Sequence, residues 1–410
     1  MKFLRTVSTG RLLALVVGLV VAVGAGTAIA VAASGPGPVP KSEPLATAIH
    51  NALAAPSVTG ITADISFTNG LINSSDFTGP SKDPILQGAT GRLWLSNAGQ
   101  LRLELQSGNG DAQVVVDKRS FWVSDPSMNT VYEGTFPAPT GSRKSEPDKA
   151  NAVPTLARIQ SELSRLMQHV NVSGATPSDV GGQAAYTVQI SPKHDGGLLG
   201  SAQVAWDAIR GVPLRVAVYA RNNPTPVLEL KATNVAYGPV SASNFTVSPP
   251  AGAKVVKVAS GHHMATSTRS AGNRVLNPRR ELSGVAAVSR ALPFKLHAPG
   301  TLVDLPRRSV KLLDWSGKPA ALVTYGENLG GIAVIEQSPS ASAAKGKSQG
   351  QGQSGDSRGL SLPTVSIHGA TGQELDTALG TLLRFTSGGV AYTVIGSVPP
   401  VAAEAAARGL

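Results

Sequence analysis

Cysteine is absent from this chain of 410 residues. Its absence excludes disulfides, catalysis by a thiol, zinc sites built on cysteine and the lipidated cysteine of a lipoprotein. Aromatic residues make up only 4% of the chain and charged residues 15%, whereas glycine and proline number 45 and 29. This composition favours a β-rich, loop-rich protein over one of long solvated helices. Because the length exceeds what one small core needs, we expect two domains.

The N-terminus combines a basic start with an apolar run. Lys2, Arg5 and Arg11 precede an uncharged stretch from Leu12 to Ala33. A basic segment followed by an apolar one is typical of a signal peptide, and the small residues near the end of the run fit a cleavage site. The run is also long enough to span a bilayer as a transmembrane helix. Both alternatives predict an exported protein, either secreted after cleavage or anchored in the cell membrane and facing outside.

The formal net charge of the whole chain is +11 at pH 7. A basic excess suits an anionic membrane surface or wall polymer, and the alternative is charge that serves only solubility. The sequence has no arginine-rich helix pattern and few aromatic residues, so we do not expect it to bind nucleic acid.

Residues 91–132 contain a series of short strand patterns. The patterns cover residues 91–95, 101–105 and 113–117, and residues 121–123 follow closely. In the second pattern apolar and polar residues alternate, which predicts a strand with one face toward a core and one toward water. We therefore expect an antiparallel sheet whose apolar face must be covered by protein or by a lipid.

A helix is predicted at residues 155–170. Its apolar residues recur at helical spacing and form one stripe, while Arg158, Glu162 and Arg165 point away from it. The stripe consists of Leu156, Ile159, Leu163, Leu166, Met167 and Val170. Such a helix can lie as a lid on a sheet. A shorter helix is predicted at residues 44–55, and further strands follow residue 183.

The patterns divide the chain into a large and a small folded part joined by low-complexity segments. Residues 44–257 are predicted to form the large domain and residues 281–410 a small α+β domain. The predicted connecting segments are a signal peptide or anchor at 1–33, linkers at 34–43 and 258–280, and a disordered, Gly/Ser/Gln-rich insert at 338–360.

The large domain resembles the LolA/LolB-like superfamily, which includes outer membrane lipoprotein-sorting proteins. The motifs that carry the resemblance stand in the order typical of that family. They are Gly91-Arg92-Leu93-Trp94-Leu95, Gly99-Gln100-Leu101-Arg102, Asp117 with Phe121-Trp122 and Asp125-Pro126, Val204-Ala205-Trp206-Asp207, Pro213-Leu214-Arg215-Val216, and Asn244-Phe245 with Pro249-Pro250-Ala251-Gly252-Ala253. The small domain resembles one of undefined function found in exported regulatory proteins of Gram-positive bacteria.

This resemblance implies an α+β fold, an incomplete antiparallel β-barrel with lid helices, whose concave face holds acyl chains. Carriers of the family latch the lid with an arginine, and that position falls on Asn97 here. The latch-and-release cycle of a lipoprotein carrier is therefore not implied for this chain.

The candidate ligand-lining residues are apolar side chains of the strands and of the predicted lid. A closed protein core is the alternative role for the same side chains. The candidates are Leu93, Trp94, Leu103, Val115, Phe121, Trp122, Leu163, Met167, Trp206 and Tyr219.

No pattern in the sequence predicts catalysis, a metal or a cofactor. The pair His262-His263 lies in the predicted linker without nearby acidic residues, which favours a solvated pair. Gly346-Lys347-Ser348 resembles the end of a phosphate-binding loop, but the glycine required five residues earlier is Ala341, and the segment has no strand-to-helix context. We therefore do not expect an enzyme.

Two functional hypotheses follow. In the first, an exported, membrane-associated protein binds a lipid or lipoprotein acyl chains in an apolar hollow, as a carrier or a sensor. In the second, the chain is an extracytoplasmic regulatory or scaffold module whose partner is an anti-sigma factor or an envelope enzyme.

Overall fold

The structure is a computed structural model. It describes residues 39–72, 84–106, 111–126, 129–136, 153–194, 196–258, 282–315, 318–339 and 362–410. The predicted signal peptide or anchor lies outside the described residues, as do the linker histidines and nearly all of the predicted insert. Within the described residues, no helix is long and apolar enough to cross a membrane.

The first half of the chain builds a sheet of thirteen strands, here called the large sheet. Its strands alternate buried and half-buried residues, as in Ile61, Ala63, Ile65 and Phe67 of the first strand, because one face packs and the other meets solvent. The strands are β1 (Gly60–Asn69), β2 (Ala89–Ser96), β3 (Gln100–Leu105), β4 (Ala112–Asp117), β5 (Ser120–Asp125), β6 (Thr130–Thr135), β7 (Val170–Val172), β8 (Thr176–Val180), β9 (Gln183–Pro192), β10 (Leu199–Asp207), β11 (Pro213–Ala220), β12 (Pro226–Tyr237) and β13 (Lys254–Val258).

The large sheet is an open, curled layer. Its strand order is β13-β6-β5-β4-β3-β2-β1-β12-β11-β10-β9-β7, with β8 also paired to β9. Among the described ladders of this sheet, the pairing of β13 with β6 is parallel and the others are antiparallel. The curl brings Gly181, between β8 and β9, against Ala232 of β12, three strands away. A methyl group on Gly181 would lie 2.9 Å from the Ala232 carbonyl oxygen, and its φ of +62° also favours glycine.

The second half builds a sheet of eight strands, here called the small sheet. Its order is β14-β15-β16-β17-β21-β20-β19-β18, and its ladders are antiparallel. The strands are β14 (Thr301–Leu302), β15 (Leu305–Trp315), β16 (Lys318–Tyr325), β17 (Ile332–Gln337), β18 (Thr364–Ile367), β19 (Ala370–Thr377), β20 (Gly380–Ser387) and β21 (Val390–Gly396).

Five α-helices accompany the two sheets in the described residues. They are α1 (Leu45–Ala54), α2 (Pro84–Gln87), α3 (Leu156–Leu166), α4 (Val285–Ala291) and α5 (Pro400–Arg408). The side chain of Thr155 caps α3 by accepting a hydrogen bond from the Arg158 N–H at 3.3 Å. Helix α5 begins with Pro400 at its first turn, where the missing N–H costs nothing.

Three clusters of apolar side chains stabilise the large sheet. The main cluster lies on the inner face of β1 to β4 and extends to β12 through Ala232 and Val235. A second cluster lies on the opposite face, where Trp122 and Val131 are covered by Phe245 from the returning segment before β13. A third, around Ala48 of α1, joins that helix to Tyr186 of β9.

The predicted fold class is confirmed: the chain is α+β, with an incomplete antiparallel barrel and accompanying helices. The predicted helix at 155–170 ends at Leu166, because Val170 opens strand β7 beside β9. The short strands β7 and β8 and the strand β19 were not predicted. Strands β8 and β19 contain the polar segments TPSDV and ATGQELDT, whose strand propensity is low, whereas β7 is only three residues long and its Val170 was assigned to the helix.

Candidate ligand-binding site

Two rows of apolar side chains cross four adjacent strands of the large sheet. Cross-strand partners share a face of a sheet, so each row can be followed through the register. One row is Val188, Val204, Val216 and Leu230, and the other is Ile190, Ala202, Val218 and Leu228. We call these eight residues the floor. Neighbouring strands lie about 4.8 Å apart, so the floor is about 14 Å wide.

The floor is continuous with the main core but less covered. Leu228 and Leu230 pack against the main cluster, and Leu230 pairs with the buried Phe67 of β1. Val188 is buried at 6% exposure, whereas the other seven floor residues are only half-buried. Half-buried apolar side chains in contiguous rows leave an apolar surface for a ligand, as single exposed residues do not.

The opposite face of the same strands is polar. The Arg215 guanidinium donates hydrogen bonds to Glu229 at 2.6 Å, to Gln203 at 2.7 Å and to the Tyr219 hydroxyl at 2.6 Å. Gln203 also accepts from Tyr219 and donates to Gln189. Because Leu228 and Leu230 pack against the main core cluster, we call the face of the floor the inner face and the face of this network the outer one, although Ala205 and Ala217 on the outer face are also 0% exposed.

Helices α1 and α3 lie near the Trp206 end of these strands. Ala48 of α1 packs in one cluster with Tyr186 and Trp206, whose ring centroids are 6.2 Å apart. The Tyr186 hydroxyl donates a 2.6 Å hydrogen bond to the carbonyl oxygen of Lys41, which ties the chain before α1 to β9. Burial, and then the nearby Glu43, raise the pKa of Tyr186, so the phenol stays a donor.

Helix α3 contacts α1 but buries little of its own apolar stripe. Ile159 is buried at 6% exposure and Leu163 is half-buried. Leu156, Leu166 and Met167 at the edges of the stripe are 39%, 43% and 46% exposed. The helix therefore presents apolar surface outward in this structure.

The structure places the ten candidate ligand-lining residues in five separate places. Leu93, Leu103 and Phe121 face the main core, while Trp94, Val115 and Trp122 alternate with them and belong to the cluster on the opposite face. Trp206 packs beside Tyr186, and Leu163 and Met167 lie on α3. Tyr219 belongs to the polar network. A ligand-lining role for these ten residues stays a prediction.

None of the ten sequence-based candidates is one of the eight floor residues. The sequence does contain a signal for the floor in strands β11 and β12, because the charged residues Arg215, Glu229 and Lys231 alternate there with the apolar Val216 and Leu230. Choosing residues by aromatic content favoured Trp94 and Trp122. Alternation with charged neighbours would instead have identified the apolar inner face.

A buried polar cluster closes the turn between β10 and β11. Asp207 is 1% exposed and accepts hydrogen bonds from the N–H groups of Ile209 and Arg210 at 2.8 Å, and from the Tyr237 hydroxyl at 2.7 Å. The Arg210 guanidinium lies 3.2 Å from the Asp207 carboxylate and stacks 4.2 Å from the Tyr237 ring centroid. Burial and the adjacent Asp207 raise the pKa of Tyr237. This cluster joins β10 to β12 and fixes the position of the floor.

The described residues contain no group of three or more His, Asp or Glu side chains arranged to hold a metal ion. The predicted linker histidines lie outside those residues.

Comparison with known proteins finds likeness in fold. No protein-family model matches the chain, and no curated protein matches it. Among solved structures, the MucA/MucB complex of Pseudomonas aeruginosa aligns with 88% of this chain and 94% of that one, at 15% identity and a TM-score of 0.38. A putative outer membrane lipoprotein-sorting protein domain from Vibrio parahaemolyticus aligns with 46% of this chain and 89% of its own, at 12% identity and a TM-score of 0.15.

Proposed function

We propose that this chain is an exported, membrane-associated protein that binds the acyl chains of a lipid or lipoprotein on the floor, as a carrier or a sensor. The observation that carries the proposal is the pair of apolar rows across β9 to β12, seven of whose eight side chains are only half-buried. An alkyl chain gains about 0.8 kcal/mol for each methylene that it buries. Ten methylenes on the floor would therefore supply roughly 8 kcal/mol before the costs of ordering.

The chemistry of the site supports binding rather than catalysis. The inner surface offers valine, leucine, isoleucine and alanine, whereas the polar groups of the same strands are engaged with one another on the outer face. An enzyme would need a nucleophile, an acid or a base directed at the ligand. We therefore infer a binding protein.

The test uses the full chain, purified gently from its native envelope. Native mass spectrometry followed by organic extraction should recover a bound lipid from the wild type. Val216→Asp places a carboxylate in the middle of the floor and should abolish that recovery. The matched control is Ser66→Asp, because Ser66 is half-buried on the outer face of β1 and pairs with Lys231. Equal lipid recovery from both variants, or none from the wild type, would contradict the proposal.

A second candidate function is binding of an envelope protein, such as an anti-sigma factor or an envelope enzyme. The observation that favours it is the outward apolar edge of α3, with Leu166 and Met167 more than 40% exposed. A photo-crosslinking residue at Met167 would capture a discrete protein in cells if this function is correct. The same residue at Val216 would capture lipid if the first function is correct.

A further inference from the structure

An extended segment crosses the core of the small sheet. Residues 292–300, here called the strap, join α4 to β14 without regular secondary structure. Apolar side chains of the strap pack against the main cluster of the small sheet: Leu292, Phe294, Leu296 and Ala298. The strap therefore covers one side of the apolar core, and the small sheet covers the other side.

Polar contacts to two strands hold the strap in place. The N–H of His297 donates a 2.9 Å hydrogen bond to the Glu336 carboxylate on β17. The Arg307 side chain on β15 donates to the carbonyl oxygens of Ala298 and Pro299, and the Arg307 N–H donates to that of Gly300. Of the groups that make these contacts, the Glu336 carboxyl is the one whose charge can change near neutral pH.

Glu336 lies on an interior strand of the small sheet. It is 0% exposed, and its cross-strand neighbours are Ala321 on β16 and Tyr392 on β21. One carboxyl oxygen accepts the His297 N–H, while Oε1 accepts no hydrogen bond from any residue that the structure describes. A buried carboxylate with one unsatisfied oxygen is costly in its charged form.

The titratable groups around Glu336 do not offset that cost, and on the strap itself Lys295 and His297 are exposed residues. Tyr325 of β16 and Tyr392 of β21 have raised pKa values, first through burial and then through Glu336. The Arg307 guanidinium bonds to the strap carbonyls, and no basic side chain of the described residues pairs with Glu336. Glu374 and Glu404 belong to β19 and α5, and β20 and β21 separate β19 from β17. Burial raises the pKa of Glu336 to about 7, although the His297 N–H acts in the opposite direction.

We propose that Glu336 is a proton-operated latch, in which the protonated carboxyl keeps the strap on the small sheet and its ionisation loosens the strap. The neutral acid costs little in the core and still accepts the His297 N–H. The carboxylate requires water at Oε1, and the strap is the layer that can lift to admit it. Loosening would expose the apolar side chains beneath the strap above neutral pH. This device is independent of ligand binding on the floor.

Hydrogen exchange on the full chain tests the latch. Exchange of the strap amides is followed by mass spectrometry between pH 5.5 and pH 8.5 and corrected for the intrinsic dependence of exchange on pH. In the wild type, strap protection should fall about tenfold or more across this range, with a midpoint near neutral pH. Glu336→Gln keeps the shape and one acceptor but cannot ionise, so its strap protection should be independent of pH.

Two results would overturn the proposal. One is wild-type strap protection that does not change with pH, which can be measured even if Glu336→Gln fails to fold. The other is a Glu336→Gln variant that loses protection with rising pH as the wild type does. Glu327→Gln is the matched control, because the Glu327 side chain is 63% exposed, and it should behave as the wild type does.

Discussion

The two sheets are built alike but close their cores differently. In the small sheet, the equivalent inner side chains of adjacent strands, Val323, Val334, Val394 and Leu383, are all 0% exposed. In the large sheet, Val204, Val216 and Leu230 occupy the same kind of row and remain half-buried. The small sheet is covered by its strap, α4 and α5, whereas helix α3 of the large sheet buries chiefly Ile159. The half-covered row of the large sheet is the surface on which we propose that a ligand binds.

The same substitution should therefore destabilise the two sheets to very different extents. Val334→Asp buries an unpaired carboxylate in a closed core and should cost about 4 kcal/mol or more of unfolding free energy. Val216→Asp places the carboxylate on a half-buried surface and should cost about 1 kcal/mol, mostly through strand propensity. Denaturant unfolding followed by circular dichroism compares them. Equal losses would mean that the floor is as closed as the small core.

The Asp207 cluster provides the next largest contrast. Asp207→Ala removes the acceptor of two backbone N–H groups and of the Tyr237 hydroxyl, so we expect a loss of about 3 to 5 kcal/mol confined to the large sheet. Exchange protection should fall in β10 to β12 while the small sheet stays protected. Asp64→Ala breaks the exposed ion pair with Arg92 and an exposed hydrogen bond from Asn234, and it should cost less than about 1 kcal/mol. A uniform loss across both sheets would show that the two unfold as one unit.

The sequence predicts the features of this contrast that depend on local periodicity, but not those that depend on packing between distant segments. Alternation in residues 101–105 predicted strand β3 and its inner face, because a period of two is a local property. The apolar stripe of α3 likewise predicted a helix but not how much of it is covered, which depends on packing against α1. The latch at Glu336 is not visible in the segment IAVIEQ, where an acid near a strand end normally indicates a solvated side chain. Burial of that acid follows from a strap nearly forty residues away.

The free energy of unfolding should depend on pH because of Glu336 in the small sheet. The folded pKa of Glu336 is about 7 and its ordinary value is 4.5, so the native state binds more protons between these values. Stability is then highest below about pH 4.5, falls as pH rises toward 7, and levels off at a loss of about 3 kcal/mol. Unfolding of Glu336→Gln monitored between pH 4.5 and pH 8 should lack this fall. A variant that follows the wild-type curve would assign the pH dependence to another group.

The smallest effect on stability is expected at Met167, just beyond the last residue of α3. Its side chain is 46% exposed, so Met167→Glu should change the unfolding free energy by less than about 0.5 kcal/mol. Ile159→Glu, on the buried side of the same helix, should cost several times more, because it removes the contact that holds α3 and buries a charge. Thermal melting compares the two variants. A large loss of unfolding free energy in Met167→Glu would mean that the outward edge of α3 is covered in solution. Helix α3 would then no longer support the contrast between an open large sheet and a closed small sheet.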